Sequence, residues 1–144
     1  MKIKVLALDL EGTLISNAMS CIPRPGLFEF LEKVKELVPR IVFYTTVPDL
    51  KLSEIIKLLV EEKTVPEWVL KVENVDWSRN GKKDLSLIDG IEDFKEAILV
   101  DDFMPYIEND QFGQWIKIEQ FEHPYLESDR ELESVYLKIK SKIQ

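Results

Sequence analysis

The stretch LALDLEGTLIS, residues 6–16, sets two carboxylates, Asp9 and Glu11, at the end of an apolar run and immediately before Gly12 and Thr13. The run is continuous over residues 3–9, as expected for a strand covered on both faces. Functional groups of an open α/β sheet gather at such C-terminal strand tips. The stretch therefore poses the fold and the chemistry together.

Working outward, apolar runs alternate with helical periodicities. After IPRPG, residues 27–38 carry Leu27, Phe30, Leu31, Val34 and Leu37 at helical spacing, with Pro25 placed to start the helix. Residues 40–46 (RIVFYTT) form a second buried-type strand. Residues 49–63 form an amphipathic helix with Leu52, Ile55, Ile56 and Leu59 on one face and Asp49 as candidate N-cap. Residues 67–77 read as strand material, and SRNG at 78–81 as a turn with Asn80-Gly81 its strongest signal. Residues 95–102 are an apolar run ending in Asp101-Asp102, and residues 114–118 a short strand. A closing helix spans 127–143, with Leu132, Val135, Tyr136, Ile139 and Ile143 inward. This alternation predicts one α/β domain over residues 1–144, Rossmann-like, with a mostly parallel sheet of about five strands and helices on both faces. Neither gap between the candidate motifs leaves room for a separate cap domain.

Composition narrows the partners. The 144-residue chain is 45% hydrophobic, enough for one core, and its net charge of −8 argues against nucleic acid or an anionic membrane as partner. One local cation can still reverse the field at a site, so an anionic substrate remains compatible. Cys21 is the only cysteine, which rules out an internal disulfide and fits a reducing compartment. The N-terminal apolar run is too short for a signal-peptide core, and no run approaches a membrane span. A cytoplasmic location is the expectation; oligomeric state is not legible.

Three predicted strands end in polar groups: Asp9, Thr45 and Asp101-Asp102. Adjacent strands lie about 4.8 Å apart, so carboxylates at neighbouring tips crowd each other and demand a counter-cation. Oxygen ligands suit a hard cation such as Mg²⁺, which takes one or two carboxylates and bridges to phosphate. The chain lacks a phosphate-binding Gly-rich motif, a His-Glu-x-x-His run and a cysteine cluster.

Asp9-x-Glu11-Gly12-Thr13, then Thr45, a lysine at 82–83, and Asp101-Asp102 resemble the four ordered motifs of haloacid-dehalogenase-like phosphatases. The resemblance covers roughly residues 3–118. GKKDLSLI, AILVDDFMPYI and RPGLFEFLEKV are similar to the small phosphatases acting on the C-terminal domain of RNA polymerase II, the branch that also includes magnesium-dependent phosphatases. The resemblance implies a Mg²⁺-dependent phosphomonoester hydrolase. Asp9 would be the nucleophile, forming an aspartyl-phosphate, and Glu11 the general acid and base. Thr45 would donate to a phosphoryl oxygen, and Lys83 would neutralise phosphate and nucleophile. Gly12, Thr13 and Thr46 would meet the substrate. Asp9, Glu11 (through its carbonyl), Asp101 and Asp102 would form the metal site. The substrate would be a phosphorylated small molecule or phosphoprotein, because a capless site stands open to bulky groups.

The match leaves points open. Glu11 stands where most such phosphatases carry Asp, one methylene shorter. Lys82 and Lys83 are both candidates, the Lys-Asp-Leu-Ser alignment favouring Lys83. Rival readings are a catalytically silent phosphate- and metal-binding module and a receiver-like phosphoaspartate domain, in which Glu11 has no role. Beside the sharp assignments stand plain ones: His123 as a surface loop residue, Cys21 as a small half-buried side chain, and Trp68, Trp77 and Trp115 as packing. Thr45 and Thr46 would satisfy backbone groups under the plain reading. Phe103, Met104 and Tyr106 either line the open site or cover the sheet edge.

Overall fold

The computed structural model describes residues 2–79 and 81–144. Four parallel strands, β1 (Val5–Leu8), β2 (Arg40–Phe43), β3 (Ala97–Asp101) and β4 (Trp115–Lys117), form a sheet in the order β2-β1-β3-β4. β1 and β3 are buried along their whole length. Their continuous apolar sequence follows from being central in a sheet covered on both faces.

Side chains alternate cleanly between the two faces. Leu6, Leu8, Phe43, Ile98, Val100 and Ile116 face one core. That core is closed by three helices, α1 (Leu27–Leu37), α2 (Asp49–Glu61) and α3 (Glu131–Ile143). Val5, Ala7, Val42, Tyr44, Ala97 and Leu99 face a second core with Val75, Trp77, Leu85, Ile88 and Ile107. On that face the covering helices are short 3₁₀ turns, Leu85–Leu87, Phe94–Glu96 and Met104–Tyr106, joined by irregular chain. The chain leaves β1 toward β2 on one side and later crosses to β3 on the other. α1 and then α2 cover one face, and the chain from Val75 onward crosses to β3 over the other, as right-handed connections require. The reversal opens a crevice at the tips of β1 and β3.

The sheet has one strand fewer than the sequence pattern suggests. Residues 67–77 do not make a strand: Glu67–Lys71 winds into a 3₁₀ turn after Pro66. Only a single parallel bridge, Phe43 with Asn74, survives beside β2. It has two hydrogen bonds, Phe43 N–H to Glu73 (2.8 Å) and Val75 N–H to Phe43 (2.9 Å). The turn lets Val69 join the helical core while Val75 and Trp77 enter the other, which a straight strand of that length cannot do.

Three helix starts also differ from expectation: α3 begins at Glu131, not at residue 127. Gly26, at φ +82°, precedes α1 where Pro25 was expected to begin it. Asp49 is the first residue of α2 rather than its cap, and its carboxylate accepts from the Asn74 amide at 3.0 Å. The inward faces of α1 and α2 are as read, except that Leu37 is only partly buried; in α3, Tyr136 and Ile143 are partly buried. The Asn80-Gly81 turn signal rests on Asn80, outside the described residues. No described helix is long and apolar enough to cross a membrane.

Candidate phosphoryl-transfer site

The crevice is built by register. Leu8 pairs with Phe43 on one side and Val100 on the other, so Asp9 emerges level with Tyr44 and Asp101. Its N–H donates to the Val100 carbonyl at 3.0 Å, continuing the ladder by one bond. Asp9, Asp101 and Asp102 bring carboxylate oxygens within 4.8 Å of one another. Lys83 reaches them from the second face, its ammonium 3.0 Å from Asp9 Oδ1 and 2.5 Å from Asp101 Oδ2. The side chain is completely buried. Lys82 points elsewhere, to the Ile107 carbonyl at 3.2 Å.

The three acids differ in what holds them. Asp101 accepts from Lys83 on one oxygen and from the Phe103 N–H (2.9 Å) on the other. Asp9 accepts from the Thr13 hydroxyl at 2.8 Å on Oδ2. Asp102 has one longer contact, 3.4 Å from Thr13 Oγ1, and its other oxygen faces Gly12. A Cβ on Gly12, at φ +75°, would stand 2.6 Å from Asp102 Oδ2. Gly12→Ala thus forces both a left-handed backbone strain of about 1–2 kcal/mol and a displaced carboxylate. The variant should unfold at lower urea and lose more activity than its stability loss explains; activity at the wild-type level would contradict the close approach.

The electrostatics follow from crowding in low dielectric. Burial works to lower the Lys83 pKa, but the Asp9 and Asp101 charges more than offset it and hold the ammonium above its usual range. Burial and then the Asp9 charge lift Asp101 to about 6, against the pull of Lys83. Burial, then Asp9, then Asp101 push Asp102 up to about 8. One ammonium does not neutralise three carboxylates, so the cluster holds either a proton or a cation.

This crowding has a pH signature in chelator. The unfolded chain ionises Asp102 near an ordinary carboxyl pKa of about 3.9, whereas the folded chain keeps its proton to about 8. The stabilisation is full below the lower value and lost as pH rises through the upper one. Asp84 and Glu96, both held below their usual range, titrate beneath this window. Urea midpoints in chelator should therefore be higher near about pH 5 than near about pH 8.5; the reverse slope would contradict the buried, crowded Asp102.

Thr45 lies one residue beyond Tyr44 at the tip of β2. Its hydroxyl accepts from the Val47 N–H (3.1 Å) and its carbonyl from the Trp77 indole (3.1 Å). The backbone-satisfying role is present, and the hydroxyl proton is not consumed by it. Thr46 is half-buried and gives its carbonyl to Arg79 at 3.2 Å. Glu11 lies outside the acid cluster, half-buried, with Oε2 accepting from the Ala18 N–H at 2.7 Å.

Two supports were not read from the sequence. Arg24 is 2% exposed and spends all five N–H donors. It forms a fork on Asp129 (both 3.0 Å) and bonds the carbonyls of Gly12 (3.3 Å), Thr13 (3.2 Å) and Glu119 (2.7 Å). It thereby ties the turn after β1 to the chain before α3. An arginine locked between Pro23 and Pro25 was the available signal. The tryptophans, read as packing, also fix backbone: Trp77 at Thr45 and Trp115 at the Asp101 carbonyl (3.0 Å). His123 is exposed, and burial raises the half-buried Cys21 thiol, as the plain readings expect.

Residues 4–144 match the family model described as NLI interacting factor-like phosphatase. No curated protein matches the chain at a significant level.

Proposed function

We propose a mechanism for this chain, which belongs to the NLI interacting factor-like phosphatase family and is therefore a phosphatase of the haloacid-dehalogenase-like class: Mg²⁺-dependent hydrolysis of phosphomonoesters through an aspartyl-phosphate on Asp9. The observation that carries it is the buried Lys83 ammonium shared by Asp9 and Asp101, with Asp102 across Gly12. The donor set fits Mg²⁺: oxygen ligands only, crowded enough that a carboxyl otherwise keeps its proton. Asp9 and Asp102 would hold the ion with the Glu11 carbonyl, while Asp101, both oxygens engaged, positions Lys83. When bound, the ion supplies positive charge to the phosphoryl oxygens and keeps the acids ionised.

Asp9, held in place by Lys83 and Thr13, attacks phosphorus as the ester P–O bond breaks. Glu11 gives its proton to the departing oxygen. It then takes a proton from the water that attacks phosphorus, and the bond to Asp9 breaks to release phosphate. Lys83 and the Thr45 hydroxyl meet the charge on the transferring group, and Gly12, Thr13 and Thr46 shape its approach. Glu11 Oε2 accepts from the Ala18 N–H, so the proton is carried on Oε1, and the methylene that distinguishes it from Asp supplies reach.

The test is hydrolysis of a phosphate panel with Mg²⁺ and with chelator. Chelation should abolish turnover and Mg²⁺ restore it. Glu11→Gln should lower kcat by about 10²–10⁴-fold while the protein still binds Mg²⁺; full turnover in Glu11→Gln would remove Glu11 from the mechanism.

A further inference from the structure

The turn after the acid pair carries an aromatic surface that the reaction above does not use. Phe103 and Met104 are 48% and 58% exposed. Phe103 is nevertheless held firmly. Its N–H donates to Asp101 Oδ1, its carbonyl accepts from the Tyr106 N–H at 3.2 Å, and its ring meets Tyr106 edge-on with centroids 4.9 Å apart. Tyr106 gives its carbonyl to the Lys83 N–H at 2.7 Å, and its ring centre lies 4.9 Å from the Lys83 ammonium. Trp77 stands edge-on behind Tyr106 at 5.8 Å, and Tyr44 behind Trp77 at 5.3 Å. An aromatic row thus runs from the second core to the rim. Its outer turn is bonded at one end to Asp101 and at the other to Lys83, the two groups that flank Asp9.

We propose that Phe103 determines leaving-group specificity and that the preferred substrates are aryl phosphates, phosphotyrosine side chains being the class a protein would present. The inference rests on the phosphomonoesterase reading. With phosphate seated at Asp9, an ester substituent that leaves over Tyr106, beside Lys83, would meet the planar, pre-ordered Phe103 ring. A planar leaving group gains contact there at little entropic cost, whereas a short aliphatic alcohol offers no face to stack.

The experiment compares kcat/KM for N-acetyl-phosphotyrosine amide and N-acetyl-phosphoserine amide in wild type and in Phe103→Ala, Phe103→Leu and Phe103→Trp. Alongside it, binding of phenylphosphonate and methylphosphonate is measured calorimetrically with Mg²⁺. The tyrosyl-to-seryl ratio should fall about five- to tenfold in Phe103→Ala and Phe103→Leu, chiefly through KM, and be kept in Phe103→Trp. An unchanged ratio, or equal losses on both esters, overturns the proposal. If wild type hydrolyses neither ester yet prefers phenylphosphonate through Phe103, the hydrolase mechanism fails and the aromatic platform stands. Absence of that preference as well overturns both.

Discussion

Asp9→Asn protein should fold, retain its Thr13 contact and hydrolyse phosphomonoesters about 10⁴-fold more slowly than wild type, or worse. The amide keeps the shape of the side chain but offers no anionic oxygen to phosphorus. Folding should survive because the exchange removes one partner of Lys83 while Asp101, at 2.5 Å, still pairs it. It also relieves the like-charge crowding that lifts Asp102. Initial rates with and without Mg²⁺, set beside a urea titration, separate the two effects. Wild type quenched in acid during turnover should carry base-labile phosphate that Asp9→Asn lacks. A variant within about tenfold of wild type would show that water attacks phosphorus directly and that neither the nucleophilic oxygen nor the charge of Asp9 is needed.

The second large effect lies away from the acids. Arg24→Met should lower the unfolding free energy by about 3–5 kcal/mol, a large share of the roughly 5–15 kcal/mol a small domain possesses. The reason is what the truncation strands. Asp129, only 15% exposed on its side chain, loses the cation it forks. The Thr13 and Glu119 carbonyls lose the donor Arg24 gave them, while the Gly12 carbonyl keeps only the Phe121 N–H at 2.7 Å. Arg24→Lys should recover little, since one ammonium cannot serve five acceptors in a plane. Asp129→Asn added to Arg24→Met should cost less than Asp129→Asn alone, because the stranded charge is then gone. Equilibrium urea curves give all four values, and a loss below about 1 kcal/mol in Arg24→Met would mean water replaces the guanidinium. Because Arg24 holds the Gly12–Thr13 carbonyls, whatever folded Arg24→Lys remains should also turn over slowly, with Thr13 no longer fixed against Asp9.

Much of this was legible because it depends on local pattern. Continuous apolar runs flanked by helical periodicity identify central parallel strands, and burial on both faces leaves no other economical arrangement for Val5–Leu8 and Ala97–Asp101. The motif order carried the family, which the match over residues 4–144 bears out. The fifth strand was misread because Val69, Val72, Val75 and Trp77 have strand-like composition. Their partition between two cores on opposite faces is a tertiary fact. Arg24 was passed over because an arginine in a loop reads as solvated until its acceptors, 95 and 105 residues away, are brought to it.

By itself the sequence determined which groups stand at strand tips: the chemistry of Asp9, Thr45 and Asp101-Asp102 is written in residue type and in the ends of apolar runs. Tertiary structure decided which of two adjacent residues faces the crevice. Lys82 and Lys83 are the same side chain in sequence, yet backbone direction sends one to the Ile107 carbonyl and the other into the core against two carboxylates. Asp101 and Asp102 divide likewise, one saturated by Lys83 and Phe103, the other left facing Gly12. The physical reason is common to both pairs. Neighbouring residues on extended chain point in opposite senses, and only the packed sheet determines which sense faces the crevice.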